Sequence, residues 1–237
     1  MVNQRMDIFI RKAESEEDFN RILETRGTGH AKYMNNREQV SDAFDFAPNT
    51  ILLLAEDKQG KAVGTMRVLD RRYGPVELDT FLDVDSLVSG DEMPCVEVTR
   101  FWIPKHLKSK LIKFLFWKAV LQYCLADQIK TILISIRPSA ARFYQQLLFF
   151  EHAGPSGSYR HKILDDLEYH VFKCDIGKAF ELLKVNKHPL YDFFCKENHQ
   201  NIMFKGLAHS LPGWKGRSDA SRRKNSGLSQ SCHSDPL

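Results

Sequence analysis

The sequence predicts a mixed α/β fold: one β-sheet with a splayed central strand, flanked by helices. First, short runs rich in β-branched and apolar residues alternate with longer stretches of helical periodicity. Second, a turn at residues 57–60 separates two such runs, which is typical of a β-hairpin. Third, a chain of 237 residues is long enough for one large α/β domain or two small ones.

The N-terminal part is predicted to contain a strand, a helix and the hairpin. A strand opens the chain at residues 8–12. In the helix that follows, Ser15 suits the N-cap, and acidic residues 16–18 suit the positive end of the helix dipole. Residues 27–49 show no clear periodicity. The predicted hairpin strands are residues 50–56 and 62–69.

The C-terminal part is predicted to alternate strands and helices. A long amphipathic helix over residues 107–126 carries Leu111 and Leu115 on its apolar side. Pro138 suits the first turn of the next helix, because a backbone N–H would be unsatisfied there in any case. The remaining predictions are loops and short helix over 71–93, strands over 94–104, 131–136 and 167–174, and helices over 138–150, 177–185 and 189–204.

The strand predicted over residues 94–104 carries two charged residues, Glu97 and Arg100, in apolar surroundings. Strict alternation places Arg100 on one face with Val98, and Glu97 on the other with Phe101. Charged side chains are seldom buried unless they are paired or chemically active. The pattern therefore indicates a site at the centre of the fold, although a structural ion pair or two solvent-reaching charges would explain it equally well.

Cysteines and histidines show no pattern of a disulfide framework or a metal site. The five cysteines are scattered without a Cys-x-x-Cys pair, and the nine histidines lack a spacing such as His-Glu-x-x-His. No apolar stretch approaches the roughly 20 residues that cross a bilayer, and the N-terminus has no signal-peptide apolar segment. We therefore expect a cytoplasmic protein without a metal or a tightly bound cofactor.

The net charge of +4 is concentrated in the C-terminal tail. Residues 213–237 hold five basic and two acidic residues, so residues 1–212 are nearly neutral. This distribution argues against a basic face for nucleic acid. We predict one domain over residues 1–212, with a helical extension at 177–205 that offers at most minor membrane contact, and then a disordered basic tail.

A family resemblance begins directly after the buried strand at 131–136. The run Ala140-Ala-Arg-Phe-Tyr144, continued to Gly154, resembles the Ala-x-x-Phe-Tyr-x-x-x-Gly-Phe segment of GCN5-related N-acetyltransferases (GNAT). Val63-Gly-Thr-Met-Arg67 and Glu97-Val-Thr-Arg100 are similar to segments of acyl-homoserine-lactone (autoinducer) synthases and of N-acyl amino acid synthases. The resemblance therefore implies the GNAT fold and, within it, this branch.

The first half of the chain carries the same resemblance. Arg26 and the run Ser41-Asp42-Ala-Phe-Asp45 resemble the arginine and the paired acidic residues of that branch. The long match over 144–154 and the unbroken hairpin favour the N-acyl amino acid synthases over the lactone synthases. The resemblance covers residues 8–175 and implies an acyltransferase whose acyl donor is acyl carrier protein.

One stretch departs from the ordinary acetyltransferases, which place a glycine-rich loop for the coenzyme A pyrophosphate after the central strand. Residues 104–111 contain no glycine, and bulky side chains hinder such a close backbone approach. Lys105, Lys108, Lys110 and Lys113 concentrate positive charge here instead. A solvated helix start would look similar, but the cluster suits a phosphopantetheine phosphate and an acidic carrier protein. We expect acyl carrier protein as donor, with acyl-CoA as the alternative.

The catalytic residues predicted for this chemistry are Glu97, Arg100 and Tyr144. A desolvated Glu97 has a raised pKa and suits a general base for the acceptor amine. Tyr144 matches the tyrosine that protonates the leaving thiolate in related enzymes, although an aromatic core position beside Phe143 explains it slightly better. No Cys–His pairing is apparent, so we expect direct attack on the thioester without an acyl-enzyme.

Arginines, acidic residues and aromatic residues make up the predicted substrate site. Each arginine either pairs with the acidic loop to order it or binds a substrate carboxylate in a fork geometry. Some aromatic side chains would line a tunnel for the acyl chain. The predicted substrate-binding residues are Arg26, Asp42, Asp45, Arg67, Phe101 and Trp102.

The sequence therefore predicts an N-acyltransferase that moves a long-chain fatty acyl group from acyl carrier protein to the amino group of an amino acid. Two alternatives within the fold stay open: an acyl-homoserine-lactone synthase and a CoA-dependent N-acyltransferase. A third is a non-catalytic member of the fold that binds lipid or carrier protein.

Overall fold

A computed structural model describes residues 8–30, 40–104, 107, 110–154, 158–161 and 167–203. The strands are β1 Ile8–Lys12, β2 Thr50–Asp57, β3 Ala62–Asp70, β4 Cys95–Trp102, β5 Thr131–Ile136, β6 Glu151–His152, β7 Ser158–His161 and β8 Leu167–Asp175. The helices are α1 Glu16–His30, α2 Lys110–Ala126, α3 Ala141–Leu148, α4 Ile176–Val185 and α5 Tyr191–Cys195. Within these ranges, no helix is both long and apolar enough to span a bilayer.

The strands form one mixed sheet in the order β1-β2-β3-β4-β5-β8-β6, with β7 paired to β8. The β4–β5 pair is parallel, and α2 makes the crossover connection that a parallel pair requires. Residues 95–98 pair with 131–134, but β4 continues to Trp102 and β5 to Ile136. The two central strands therefore separate after Val98, which confirms the predicted splay.

A β-bulge lies in β4 at the point of separation. Arg100 has a left-handed backbone, with φ 51°, and the β3–β4 register shifts between Thr65 and Arg67. A bulge adds a residue to one strand and redirects the side chains beyond it. The predicted strict alternation is therefore wrong here. Phe101 packs on Phe116 in the core, at 5.5 Å between ring centroids, and Arg100 turns to the face that holds Asp42.

Each face of the sheet is covered by a different set of elements. On one face α2 and α3 pack, and Phe116 and Trp117 of α2 are fully buried there. Leu115 is buried as predicted, but Leu111 is 40% exposed because Ile112 takes the position against the sheet in the first turn. On the other face lie α1 and residues 71–92, which form four short 3-10 helices.

Several element boundaries differ from the predicted ones. Ser15 does cap α1, because its Oγ accepts a hydrogen bond from the Asp18 amide at 3.0 Å. The helix then continues to His30, through residues predicted to lack periodicity. The helix predicted over 138–150 is a 3-10 turn followed by α3, and it ends at Leu148 because Phe149 adopts a left-handed backbone. The short strands β6 and β7 were not predicted.

The C-terminal extension packs on the domain. Lys118 of α2 donates to the Phe194 carbonyl of α5 at 2.6 Å. Residue 10 of β1 then pairs with the chain after α5: the Ile10 amide donates to the Asn201 carbonyl, and the Met203 amide to the Ile10 carbonyl, both at 2.8 Å. The helix predicted over 189–204 is shorter than expected. The predicted tail at 213–237 lies outside the described residues, so that boundary stays a prediction.

Gly64 of β3 marks the closest packing of the sheet against α2. A Cβ at this position would lie 2.9 Å from Cε2 of the buried Phe116 ring and 3.2 Å from the Trp102 carbonyl. We expect Gly64→Ala to lower the free energy of unfolding by about 1–3 kcal/mol, because the core is overpacked. Urea unfolding followed by circular dichroism measures this change.

Gly27→Ala is the matched control. Nothing lies within 4 Å of a Cβ at this helical position, so the substitution should stabilise α1 by up to about 1 kcal/mol. Equal stability of Gly64→Ala and the parent chain would contradict the close packing described here.

Candidate active site

Arg67 lies at the centre of a buried cluster of charges, with its side chain 0% exposed. Its Nε donates to Thr99 Oγ1 at 2.9 Å, its Nη1 to Asp42 Oδ1 at 2.5 Å and Asp45 Oδ1 at 2.9 Å, and its Nη2 to Asp42 Oδ2 at 3.2 Å and Glu77 Oε2 at 2.6 Å. These contacts use all five N–H donors of a guanidinium. Of the two predicted roles for Arg67, the geometry supports the ordering of the acidic loop and not the binding of a substrate.

Two further arginines extend the cluster. Arg26 was predicted near a helix end, but it lies inside α1 and is fully buried. Its Nη1 donates to Asp45 Oδ2 at 2.8 Å, whereas its Nε and Nη2 find no partner among the described residues. Arg100 Nη2 donates to Asp42 Oδ2 at 2.6 Å. Each aspartate therefore bridges two arginines, with Arg67 shared by both.

The acidic loop is shaped by its own sequence. Asp42 caps the 3-10 helix Ala43–Phe46: its Oδ1 accepts from the Phe44 amide at 2.9 Å, and Asp45 Oδ2 accepts from the Asp42 amide at 3.3 Å. This spacing of three residues is a capping box. The capping oxygen atoms also accept from the arginines: Asp42 Oδ1 from Arg67 Nη1, and Asp45 Oδ2 from Arg26 Nη1.

Electrostatics favour the charged forms of Asp42 and Arg67. Burial alone would raise the pKa of Asp42, but hydrogen bonds and charges from Arg67 and Arg100 outweigh burial and hold that pKa well below its usual range. Burial likewise opposes the charge of Arg67, yet Glu77 and the two aspartates raise its pKa overall. The cluster contains three arginines and the three carboxylates of Asp42, Asp45 and Glu77, so its formal charges balance.

Glu97 lies beside this balanced cluster and is 1% exposed. Its Oε2 accepts from the Leu78 amide at 2.9 Å, while its Oε1 has no hydrogen-bond partner among the described residues. Burial, and then the negative charge of Glu77, raise the pKa of Glu97 to about 8. Such a carboxyl group can change its protonation state near neutral pH.

A cavity of about 170 Å³ opens where β4 and β5 separate, and it is lined by residues from both faces of the sheet. Its polar side includes Glu77, Glu97, Thr99, Arg100 and Ser135. Its apolar side, towards α2 and α3, includes Val98, Phe101, Trp117, Ile134, Ile136 and Tyr144. The cavity therefore joins the charged cluster to the aromatic core through the gap in the sheet.

Tyr144 and Phe101, both predicted as site residues, line this cavity. The Tyr144 ring packs at 5.6 Å from that of Trp117 and 5.7 Å from that of Phe150, between ring centroids, and burial raises the pKa of its hydroxyl. Tyr144 is thus both a packed aromatic residue and part of the cavity wall. Trp102, also predicted, is not among the described residues that line this cavity.

The predicted lysine cluster is only partly described. Lys105 and Lys108 lie outside the described residues. Lys110 is exposed at the start of α2, and the Lys113 ammonium lies 5.1 Å from the centroid of the Phe143 ring of α3. Lys113 therefore approaches the helix that carries Tyr144.

Sequence reasoning missed Glu77, whose side chain joins the cluster and the cavity. It lies in the segment predicted as loops and short helix, and no local pattern marks it as buried. Among the described residues, no group of three His, Cys, Asp or Glu side chains is arranged for a metal ion. Burial raises the pKa of the thiols of Cys95, Cys124 and Cys174, which disfavours their reactive thiolate form.

Comparison with known proteins identifies one family and several related folds. The family model described as N-acyl amino acid synthase FeeM matches residues 29–162. A search of curated proteins finds no match. Similar solved structures include FeeM, an N-acyl amino acid synthase from uncultured soil microbes, with a TM-score of 0.61 and 18% identity over 78% of this chain and 97% of that chain.

Two autoinducer synthases share the fold as well. The AHL synthase LasI has a TM-score of 0.55 at 18% identity, over 72% of this chain and 91% of its own. The CoA-dependent acyl-homoserine lactone synthase BjaI, solved with SAM and isopentyl-CoA, has a TM-score of 0.53 at 15% identity, over 78% of this chain and 90% of its own. These likenesses confirm the predicted GNAT-like acyltransferase fold.

The burial of Glu97 should make stability depend on pH. Its ordinary pKa is 4.5, and its folded pKa is about 8, so the unfolded chain loses this proton first as pH rises. Stability is therefore lost between these two pH values. We expect Glu97→Gln to remove this loss, so that the variant gains stability relative to the parent chain by up to about 1.4 kcal/mol per pH unit. Urea unfolding across this range measures the difference.

Glu92→Gln is the control for this measurement. A hydrogen bond from Lys173 lowers the pKa of Glu92 to about 2, so its contribution is lost only as pH falls from 4.5 towards that value. Between pH 4.5 and about 8, the free energy of unfolding of Glu92→Gln should differ from that of the parent chain by a constant amount, whereas the difference for Glu97→Gln should grow. A constant difference for Glu97→Gln would show that Glu97 titrates normally.

Proposed function

The chain belongs to the N-acyl amino acid synthase FeeM family of acyltransferases, and we propose that it transfers a fatty acyl group from a carrier-protein thioester to the amino group of an amino acid. The observation that carries this proposal is the cavity through the split sheet, with buried Glu97 on its polar side. Thioester and amine can reach such a gap from opposite faces, which suits direct transfer between them.

Glu97 is the proposed general base. The α-amino group of a peptide has a pKa of about 8, and that of a free amino acid is higher because of its neighbouring carboxylate. A carboxylate whose pKa is raised towards that of the ammonium takes its proton at a lower energetic cost than an ordinary carboxylate. Glu97 lines the cavity, and its Oε1 has no hydrogen-bond partner among the described residues. Ser135 Oγ and Trp117 Nε1 of the same wall are also buried without a partner in the described part of the chain. Buried polar atoms are usually satisfied, which supports a polar ligand here.

The proposed reaction is a single displacement. Glu97 accepts a proton from the ammonium, and the amine nitrogen attacks the thioester carbonyl carbon to form an oxyanion. Backbone amides around the Arg100 bulge, where β4 leaves β5, are our candidates for the oxyanion donors. As the amide forms, the C–S bond breaks, and Tyr144 supplies a proton to the leaving thiolate. The nitrogen loses its second proton through solvent, which reprotonates Tyr144, and Glu97 releases its own proton to solvent, so that both side chains return to their starting states.

Arg100 is the arginine we assign to the acceptor carboxylate, because it lines the cavity whereas Arg67 is saturated by protein groups. The cavity of about 170 Å³ is close to the size of about 150 Å³ that holds a six-carbon ring. It therefore suits the thioester and the first carbons of a fatty chain. Cys95, Cys124, Cys174 and Cys195 are free thiols, which is consistent with a cytoplasmic setting.

Glu97→Gln should lower kcat by about 10²–10⁴-fold, because the amide cannot accept the proton of the ammonium. The assay follows thiol release from acyl carrier protein with each of the common amino acids, and mass spectrometry identifies the product. The parent chain should show kcat/KM rising through a pH of about 8, the pKa of Glu97. Glu92 also pairs with a cation, Lys173, at 2.6 Å, and Glu92→Gln should keep the parent rate and pH profile.

Retention of normal turnover by Glu97→Gln would remove Glu97 from the mechanism. An acyl lactone formed from an added sulfonium amino acid would identify the lactone-synthase alternative. Binding of acyl carrier protein with no product from any amino acid would identify a non-catalytic member of the fold.

The donor is testable through the lysines. We expect kcat/KM to be higher with acyl carrier protein than with the acyl-CoA of the same chain, because Lys110 and Lys113 add to the charge predicted at Lys105 and Lys108. Lys110→Glu should lower kcat/KM for the carrier protein by about tenfold and leave kcat little changed. Lys58→Glu, at an exposed hairpin turn, is the charge-matched control. A preference for acyl-CoA would overturn the carrier-protein proposal.

A further inference from the structure

We propose that Glu77 is a positioning residue for acyl transfer: fixed by Arg67 on the cavity wall that it shares with Glu97, its negative charge sets the pH range in which Glu97 can act as a base. This inference rests on the proposed function. It adds a residue that touches neither the reacting amine nor the thioester and acts through Glu97.

One short segment holds both carboxyl groups in place. Glu77 begins the 3-10 helix Glu77–Thr80, and its Oε2 accepts from Arg67 Nη2 at 2.6 Å. The next residue, Leu78, donates its amide to Glu97 Oε2 at 2.9 Å. The Glu77 side chain is 12% exposed and, like Glu97, lines the cavity. A movement of this segment would therefore displace the Glu77 carboxylate and disturb the hydrogen bond to Glu97 at the same time.

The charges around Glu97 come from several elements. Glu77 faces it from the 3-10 helix, Arg67 from β3 and Arg100 from β4. The phenols of Tyr144 in α3 and Tyr169 in β8 are the other titratable groups that the described residues contribute to the cavity wall. Arg67, whose charge acts on Glu97, is already bound to three other carboxylates. Glu97 therefore has no cation of its own among the described residues.

Charge balance explains why Glu77 matters. Three arginines are matched by the carboxylates of Asp42, Asp45 and Glu77, all within one buried network. A carboxylate at Glu97 adds a fourth negative charge, which is costly in a buried site. Removing the charge of Glu77 leaves one arginine charge for Glu97 to balance. The pKa of Glu97 is raised first by burial and then by the charge of Glu77, which agrees with this count.

For catalysis, the charge of Glu77 lowers the fraction of Glu97 that is ionised at a given pH and raises the basicity of the ionised form. With Glu77 charged, Glu97 holds its proton tightly and is therefore a strong base once it is ionised. With Glu77 neutral, Glu97 would be ionised at lower pH, but it would take a proton from the ammonium less readily. The charge of Glu77 thus brings the pKa of Glu97 closer to that of the acceptor ammonium.

Glu77→Gln tests the inference, because an amide oxygen can still accept from Arg67 while the charge is lost. We expect the inflection of kcat/KM against pH to move about one unit or more towards acid, with a lower rate at the alkaline plateau. The substrates are the carrier-protein thioester and the amino acid that turn over fastest with the parent chain. Glu92→Gln, an equally paired glutamate outside the cavity, should not move the inflection.

A second readout needs no substrate. The pH range over which Glu97→Gln gains stability should end at lower pH when the comparison is repeated in the Glu77→Gln background. Glu77→Asp, which keeps the charge, should restore the parent inflection even if it lowers the rate or stability. If Glu77→Gln does not fold, the Glu77→Asp variant alone decides, because an inflection moved by that variant contradicts a role of charge.

The outcomes separate this inference from the proposed function. A uniform fall in rate with an unmoved inflection would show that Glu77 is only structural, and Glu97 would remain the base. Normal turnover by Glu97→Gln would instead overturn the role of Glu97 and, with it, the positioning role of Glu77. A stability range that is unchanged by Glu77→Gln would also overturn the inference.

Discussion

The buried guanidinium of Arg67 is the interaction on which the rest of the structure depends. It joins β3 to Thr99 of β4, to the acidic loop and to the segment that carries Glu77. A buried cation is tolerable only when its partners are complete, and removal of one partner leaves uncompensated charge. The arrangement therefore specifies one geometry for three separate parts of the chain. Any substrate site built on them inherits that rigidity.

Two features of the central strands form the cavity beside this rigid cluster. The parallel pairing of β4 and β5 ends after Val98, and the bulge at Arg100 then directs one side chain to the charged face and the next to the core. Non-glycine residues with a positive φ are uncommon and concentrate at functional sites. The cavity at this gap is lined by Glu97 together with residues from both faces of the sheet, while the surrounding protein keeps that carboxyl group away from bulk water.

Periodicity and turn chemistry were sufficient to predict the main strands, the hairpin and the split sheet. The charged residues in the run 94–104 also pointed to the site, because charge in an apolar strand is unusual. The bulge at Arg100, by contrast, reflects the register against β3, which is not local in sequence. The burial of Arg26 and Glu77 was not predicted for the same reason: the partners of these side chains lie 19 and 10 residues away. No local pattern records such a partner, nor the cavity that distant strands enclose.

The pairing of residues 201–203 with β1 links two regions that lie on either side of the family match at 29–162. β1 would otherwise present one row of unpaired backbone groups at the border of the sheet. The two ends of the described chain thus pair with each other, and each supplies hydrogen bonds that the other would lack. A protein trimmed to the matched region would lose both at once and leave β2 as a long, apolar template for intermolecular strand addition.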